Sequence, residues 1–383
     1  MSAQHKPPTH VWHKSPVGHS IQCILPPHLL REVIERGSQA QRDHAWRAVG
    51  ISEQIRGQRQ ALARPAIPAA IAVGQKQRTV YDAGTRTDLP GVVVRSEGDP
   101  ASGDSAVDEA YDGSGHTYDL YQEVYDRNSI DDLGMPLYST VHYGQGYDNA
   151  FWNGQQMVYG DGDEDLPEAE RLFNRFTISL EIIGHELTHG VTQHEADLAY
   201  RSQSGALNES MSDVLGVLVK QKLLSQTADQ ANWLMGEGLF TSNVSGVAIR
   251  SLKDPGTAYD DPVLGQDPQP GHMDQYQDLP NWYDNGGVHI NSGIPNHAFY
   301  FVATEIGGYA WEKAGEIWYI TLRDRLRRNS DFQDAADMTF QVAGELFLDG
   351  SREQQAVSNG WARVGITVGV GGGPSRRGRK IRA

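Results

Sequence analysis

Apolar positions along this chain follow two different periods, and the period changes between the first half and the second. Between about residues 79 and 180, short β-type runs such as 91–94 and 139–143 are separated by Gly/Asp turns, a pattern that predicts a largely antiparallel, β-rich lobe. From about residue 300 onward the apolar residues take helical spacing, as in 298–304 and 317–322. The pattern therefore predicts an α+β chain whose β-rich part precedes a helical part.

The stretch before residue 76 has predicted elements of its own. Pro26-Pro27, a short apolar series and then Gly37 predict a helix with proline at its start and glycine past its end. A second helix is predicted over about 39–61, and a proline-containing linker follows at 64–68.

Two histidines lie four residues apart in the apolar run 182–191. On a helix, His185 and His189 share one face, so both imidazoles can reach one metal ion, and Glu186 lies beside them. Two histidine ligands and a glutamate base are the pattern of zinc proteases, although the motif also occurs by chance. The other motifs therefore decide whether this one is catalytic.

A catalytic zinc ion usually takes three protein ligands and keeps one open position. Glu209 lies in the run 205–213, which predicts the start of a second helix with apolar flanks. Asp213, one turn later, could reach the far nitrogen of a ligand histidine and orient the ring. The ordinary alternative is that both acids form an exposed helix face.

A further histidine lies in the Gly/Asn-rich run 284–293. Hydrolysis of a peptide passes through an oxyanion, and His289, if held by the carboxylate of Asp284, is a suitable donor to it. A histidine in such a loop is more often simply exposed, so this motif counts only together with the others.

Four motifs in this order resemble the thermolysin family of zinc endopeptidases over roughly residues 79–365: 149–154, 185–189, 205–213 and 286–294. The resemblance implies a two-lobe fold, with a β-rich N-terminal lobe, an α-helical C-terminal lobe and the zinc-binding helix between them. It implies one zinc ion per chain with three ligands, His185, His189 and Glu209.

The resemblance also assigns roles to other side chains. The catalytic set is Glu186 as the base, His289 as the acid or oxyanion partner, Asp284 as its orienting carboxylate and Tyr200 as a second oxyanion donor. The substrate-binding set is Asn149, Ala150 and Arg250, of which the first two belong to an edge strand that pairs with the substrate backbone. Behind the ligand histidines it places Asn208 and Asp213. The family prefers a large apolar residue just after the scissile bond, and Ile182 and Ile249 at the wall positions fit that preference.

The chain departs from the family where thermolysin holds a double calcium site. Glu181 and Lys220 occupy those two positions, and because a lysine cannot ligate a cation, the sequence predicts an ion pair between them instead. Calcium remains possible elsewhere, since 161–165 is an acidic turn of hard oxygen ligands, with a solvated loop as the alternative.

Composition and charge add the domain organisation. The chain has 383 residues and a net charge of −16, but residues 1–78 carry eleven Lys/Arg against four Asp/Glu. A basic N-terminal segment is attracted to an acidic catalytic part. We therefore interpret 1–75 as a propeptide, similar to the short propeptides of protealysin-like members of the family, which covers the cleft until it is cleaved. The remaining boundaries are a β-rich catalytic lobe that ends in the zinc helix (76–195), a helical lobe (196–366) and a basic, disordered tail (367–383).

Cys23 is the single cysteine, so no internal disulfide can form. It could ligate zinc in the precursor as a thiolate, or it could be a buried apolar residue without metal contact. Residues 1–20 lack the apolar stretch of a secretory signal, so we expect export by another route, with a cytoplasmic location as the alternative. The expected partners are peptide substrates and the propeptide itself; a monomer is expected, with neither nucleic acid nor a membrane as partner.

Taken together, the sequence predicts a secreted-type zinc endopeptidase, made as a self-inhibited precursor, that cleaves before large hydrophobic residues by attack of a zinc-bound water. Two alternatives are a catalytically inactive zinc module that holds a peptide and a metallo-exopeptidase. Intact Glu186, Tyr200 and His289 argue against the first. No motif that would anchor a substrate terminus supports the second.

Overall fold

The computed structural model describes residues 22–61 and 75–369; the predicted linker at 64–68 and most of the predicted tail lie outside them. The helices are α1 (Pro27–Arg36), α2 (Gln39–Ala61), α3 (Ser105–Tyr125), α4 (Leu180–His194), α5 (Ser202–Leu224), α6 (Asp284–Asn291), α7 (Gly293–Ile306), α8 (Lys313–Ile320), α9 (Phe332–Phe347) and α10 (Arg352–Arg363). The strands are β1 (Gln22–Cys23), β2 (Arg78–Asp82), β3 (Val92–Ser96), β4 (Leu137–Val141), β5 (Ala150–Trp152), β6 (Met157–Tyr159), β7 (Leu234–Met235), β8 (Arg250–Ser251), β9 (Asp260–Asp261) and β10 (Gly265–Gln266).

The two N-terminal helices lie where the sequence placed them. Helix α1 has proline in its first turn, and the N–H of Gly37 closes it by donating to the carbonyl of Val33 at 2.8 Å. Its buried face carries Leu29, Leu30 and Val33. The prediction of both helices is confirmed.

A six-stranded sheet in the order β1-β5-β6-β4-β2-β3 forms the N-terminal lobe. The lobe is largely antiparallel, as predicted, in three of its five pairings, but the sheet is mixed, because β4 runs parallel to both β2 and β6. Parallel neighbours need a crossover connection. Helix α3 lies in the connection from β2 to β4, and strand β5 lies in the connection from β4 to β6. This helix was not predicted, since its buried face includes Gly113, Ser114, Gly115 and Thr117, small or polar residues that leave a weak apolar period.

Helices α4 and α5 pack against each other at very close range in the middle of the molecule. A Cβ on Gly184 would lie 3.0 Å from the Cα of Gly216, and one on Gly216 would lie 2.6 Å from the carbonyl oxygen of Glu181. Only glycine permits this approach, which brings the side chains of the two helices face to face.

The C-terminal lobe is helical, as expected, and its core contains large aromatic side chains such as the stacked Trp318 and Trp361. The α+β class with a strand-containing N-terminal lobe and a helical C-terminal lobe is thus confirmed. None of the helices in 22–61 and 75–369 has the length and apolar composition needed to cross a bilayer.

Candidate active site

Three side chains from α4 and α5 meet between the lobes. The Nε2 atom of His185 lies 3.5 Å from one carboxylate oxygen of Glu209, and that of His189 lies 3.4 Å from the other. All three residues are fully buried, yet both Nε2 atoms and Oε2 of Glu209 lack a hydrogen-bond partner. Ligand atoms around a tetrahedral zinc ion are about 3.3 Å apart at Zn–N distances near 2.0 Å. The donor set therefore fits a zinc ion.

Hydrogen bonds on the far side of each ring fix the two histidines. Nδ1 of His185 lies 2.8 Å from Oδ1 of Asp213, and Nδ1 of His189 lies 2.8 Å from Oδ1 of Asn208. An acceptor at Nδ1 selects the tautomer that leaves Nε2 free for a metal. Ser212, which the sequence did not single out, also lies 3.0 Å from Nδ1 of His189.

Asp213 is buried and accepts hydrogen bonds from both Arg250 and His185. Arg250 donates to its two oxygens at 2.9 and 2.7 Å. Burial opposes ionisation, but Arg250 and His185 hold the pKa of the Asp213 carboxyl well below its usual range. The exposed helix face considered for Glu209 and Asp213 is therefore wrong, since both have no exposed surface.

One carboxylate oxygen of Glu186 accepts a hydrogen bond from the sheet, and the other has no hydrogen-bond partner. Its Oε2 accepts a hydrogen bond of 2.9 Å from the N–H of Trp152 on β5, while Oε1 is buried and unpartnered. Among the protein's own groups, burial and then the charge of Glu209 raise the pKa of Glu186 well above its usual range. The carboxylate therefore keeps a free, buried acceptor atom within the electrostatic influence of Glu209.

His289 is buried and held by two partners. Its Nδ1 lies 2.5 Å from Oδ1 of Asp284, and its Nε2 lies 3.1 Å from the hydroxyl of Tyr200. Burial opposes protonation, but the charges of Glu209 and Asp284 raise the pKa of His289 to about 9. The simple exposed loop is wrong for this residue, which belongs to α6 beyond a non-helical kink.

Tyr200 takes up a position beside the ligand carboxylate. Its hydroxyl donates to Oε1 of Glu209 and lies next to His289. Both groups predicted to face an oxyanion therefore come together on one side of the metal-binding set.

The segment 23–25 crosses this site as an added strand. β1 pairs antiparallel with β5, and the N–H of Ile24 donates to the carbonyl of Ala150 at 3.2 Å. The N–H of Leu25 donates to Oδ1 of Asn149 at 3.0 Å. Arg250 donates to the carbonyl of Ile24 at 3.2 Å. All three predicted substrate-binding residues therefore contact this segment.

The carbonyl of Cys23, rather than its thiol, makes the contact with the catalytic group: it lies 3.0 Å from Nε2 of His289. Within the described ranges, the ligand atoms of His185, His189 and Glu209 form a group with mutual distances under 4.8 Å, and Cys23 does not belong to it. Cys23 is 6% exposed. The arrangement favours the buried-cysteine alternative.

The predicted ion pair between the two central helices is present. Lys220 lies 2.8 Å from Glu181, which has 2% of its side chain exposed, and also contacts Glu237. In the acidic turn, Asp161 pairs with His142 and Glu164 with Arg175. Asp163, in the same turn, is buried, so the solvated loop is wrong for that residue.

Comparisons with known proteins agree with this geometry. One family model, described as the catalytic domain of thermolysin metallopeptidase, matches residues 70–193, and another, described as its alpha-helical domain, matches 196–366. An extracellular metalloprotease of Pectobacterium carotovorum subsp. carotovorum is 48% identical over 349 residues, covering 91% of this chain and 97% of that protein. Protease PrtS of Photorhabdus sp. (strain Az29) is 47% identical, with 90% and 92% covered.

Among solved structures, the precursor of protealysin, a metalloproteinase from Serratia proteamaculans, matches with a TM-score of 0.81 and 49% identity. The match covers 90% of this chain and 100% of that one.

Proposed function

Since this chain belongs to the thermolysin family of zinc metallopeptidases, we propose that it is made as a self-inhibited precursor and that the mature enzyme is an endopeptidase that cleaves before large apolar residues. The observation that carries the proposal is the segment 23–25, which lies across the site as a substrate backbone would. Peptides commonly bind by adding a strand to a sheet edge, with main-chain hydrogen bonds for affinity and pockets for specificity.

The metal would be held by His185, His189 and Glu209. A zinc ion bound there supplies a Lewis acid that polarises a carbonyl and makes water nucleophilic at neutral pH. Glu186, with one oxygen fixed by Trp152 and one free, accepts a proton from the attacking water and passes it to the leaving amine.

The carbonyl oxygen of the substrate would lie where that of Cys23 lies, facing His289. Protonated His289 and the Tyr200 hydroxyl donate to this oxygen as charge develops on it. Asp284 keeps the ring of His289 oriented through its 2.5 Å contact. Asn208 and Asp213 orient the ligand histidines.

The preference for apolar residues follows from the register of the same segment. If the Cys23 carbonyl marks the position of the scissile bond, Ile24 is the residue just after it, and its side chain has no exposed surface. Arg250 binds the carbonyl of that residue. Ile182 and Ile249, both buried, are the proposed walls of the pocket.

Self-inhibition is supported by contacts outside the cleft. His28 on α1 lies 3.0 Å from the hydroxyl of Tyr259, and Ser38 and Gln41 bind the side chain and the carbonyl of Glu170 at 2.7 and 2.8 Å. These contacts attach both N-terminal helices to the catalytic part. We place the end of the propeptide near residue 75, and we propose secretion because relatives are named extracellular proteases.

The test is cleavage of casein by the mature form, with and without a strong chelator, and by a Glu186→Gln variant. We expect the chelator to abolish cleavage and Glu186→Gln to lose about 10²–10⁴-fold in rate while keeping its zinc. Glu123→Gln, at an exposed pair with Lys222, is the matched control and should cleave normally. Normal cleavage by Glu186→Gln would show that another group is the base.

The precursor is tested in the same assay. The intact full-length chain should cleave casein far more slowly than the processed enzyme, because 23–25 fills the cleft. Equal rates for the two forms would overturn self-inhibition and leave the catalytic assignment untouched.

A further inference from the structure

A second buried group of metal-ligating side chains lies outside the active site. His44 of α2 meets Asp148, two residues before strand β5, and Asp163, from the acidic turn. Their ligand atoms lie within 4.8 Å of one another, and at most 2% of each residue is exposed. Nothing in the proposed mechanism uses this cluster.

Its atoms repeat the pattern seen at the zinc-binding residues. Nδ1 of His44 lies 3.3 Å from Oδ1 of Asp163, close to the 3.4 and 3.5 Å between histidine nitrogens and Glu209 in the active site. Nδ1 of His44 and Oδ1 of Asp148 are buried without a hydrogen-bond partner. Unpartnered buried polar atoms are costly, and two of them within one buried cluster point to a ligand that both would bind.

Neighbouring backbone groups fix the position of Asp163 and leave space for the ring of His44. Oδ2 of Asp163 accepts the N–H groups of Leu172 and Phe173 at 2.7 and 2.9 Å, which leaves Oδ1 to face His44. A Cβ on Gly146 would lie 2.4 Å from Cε1 of His44, so the glycine makes room for the ring.

The far nitrogen of His44 also has a carboxylate near it. Its Nε2 lies 3.5 Å from Oδ1 of Asp165. Histidine ligands of metals usually have a carboxylate or carbonyl behind them; Asp165 occupies this position at a longer distance than the 2.8 Å between His185 and Asp213.

We propose that His44, Asp148 and Asp163 bind a second divalent ion, of the zinc class, that joins helix α2 to the catalytic lobe. One imidazole and two carboxylates suit zinc, which accepts nitrogen ligands, better than calcium, which binds oxygen. The site goes beyond the proposed function, because its histidine comes from the N-terminal segment and its carboxylates from the mature part. It exists only while the two are associated, and removal of α2 dismantles it.

The experiment measures bound zinc in the full-length chain carrying Glu186→Gln, which keeps the chain intact if processing is its own activity. After equilibration with a molar excess of zinc chloride and removal of free ion, elemental analysis should find two zinc ions per chain. His44→Gln and the isosteric Asp148→Asn should each reduce this to one. His28→Gln, at another buried histidine of the N-terminal helices whose Nε2 lies 3.0 Å from the hydroxyl of Tyr259, is the matched control and should keep two.

His185→Ala separates the two sites. It should reduce the count to one, and together with His44→Gln it should reduce it to zero; circular dichroism verifies that each variant is folded. The proposal would be overturned if the Glu186→Gln chain without further substitutions bound only one zinc ion. It would also be overturned if both His44→Gln and Asp148→Asn still bound two. A protonated His44 paired with the carboxylates would give the first of these results. If His185→Ala keeps both ions, the assignment of the active-site metal fails and the second site stands on its own variants.

Discussion

Arg250 and Asp213 form a bidentate ion pair that is completely enclosed by the protein. The two hydrogen bonds are 2.9 and 2.7 Å long, and the same carboxylate lies 2.8 Å from Nδ1 of His185. The arginine proposed to bind the substrate carbonyl and a proposed ligand of the metal therefore depend on one side chain. Substrate position and metal position are coupled through it.

Asp213→Asn should accordingly weaken both metal binding and substrate binding. The amide has one acceptor oxygen, and its NH2 group is a donor, so it cannot accept all the hydrogen bonds from His185 and Arg250 that the carboxylate accepts. The His185 ring is then less well fixed, and Arg250 is left as a poorly paired buried charge. We expect zinc affinity to fall about 10–100-fold and KM to rise when zinc is saturating. Competition with a chromogenic chelator measures the first effect and steady-state kinetics the second.

Asn296→Ala is the control for this prediction, since Asn296 donates to the same carboxylate at 2.8 Å but forms no hydrogen bond with His185 or Arg250 in the described structure. It should change zinc affinity much less. Unchanged affinity in Asp213→Asn would mean that His185 is oriented by other contacts.

Lys220→Ala should destabilise the mature enzyme. It would leave the buried carboxylate of Glu181 without its ion pair. Removing one partner of a fully buried pair costs roughly 3–5 kcal/mol, and because 19% of the Lys220 side chain is exposed we expect a loss at or below the lower end of that range. Lys222→Ala on the same helix is the matched control, because its partner Glu123 is 60% exposed and exposed pairs contribute little. Denaturant unfolding of both variants decides; equal losses would show that the pair does not tie α4 to α5.

The parts of this protein that were predicted correctly are those with short-range sequence signals. Proline at the start and glycine past the end predicted the bounds of helix α1. The i,i+4 spacing placed His185 and His189 on one face of a helix. The roles of residues such as Tyr200 and Arg250, by contrast, came from the resemblance to a family. The comparisons confirm that the chain belongs to this family, and the residue roles stay predictions. Spacing alone would not have found them.

The features that were missed depend on contacts between distant parts of the chain. β1 has only two residues and exists because Cys23 pairs with Phe151 on β5. The meeting of His44 with Asp163 likewise depends on how α2 docks. No local pattern encodes such contacts. The parallel pairing of β4 with β2 and β6 likewise depends on how the whole lobe folds.

Acid should weaken the attachment of the N-terminal helices. Burial lowers the pKa of His28 to about 4 in the folded precursor, against an ordinary value of 6.5. His28 is thus neutral in the folded state, while the unfolded chain takes up the proton as the pH falls below 6.5. The stabilisation that comes from neutral His28 is therefore fully present above pH 6.5 and is lost as the pH falls from about 6.5 to 4.

The measurement is the unfolding free energy of the Glu186→Gln precursor against pH, with and without His28→Gln. The stability difference between the two should shrink as the pH falls through this window. A difference that stays constant from pH 7 to 4 would contradict the prediction.

Cys23→Ser should leave the zinc environment of the precursor unchanged. The thiol is outside the metal-binding group, and the contact of residue 23 with His289 is made by its backbone carbonyl, which serine retains. X-ray absorption at the zinc edge distinguishes a sulfur ligand at about 2.3 Å from nitrogen at about 2.0–2.1 Å. We expect nitrogen and oxygen scattering alone in both proteins, and His185→Ala, as the positive control, should alter the spectrum. A sulfur shell present in the unsubstituted precursor and lost in Cys23→Ser would establish the thiolate as a ligand and refute the buried-cysteine interpretation.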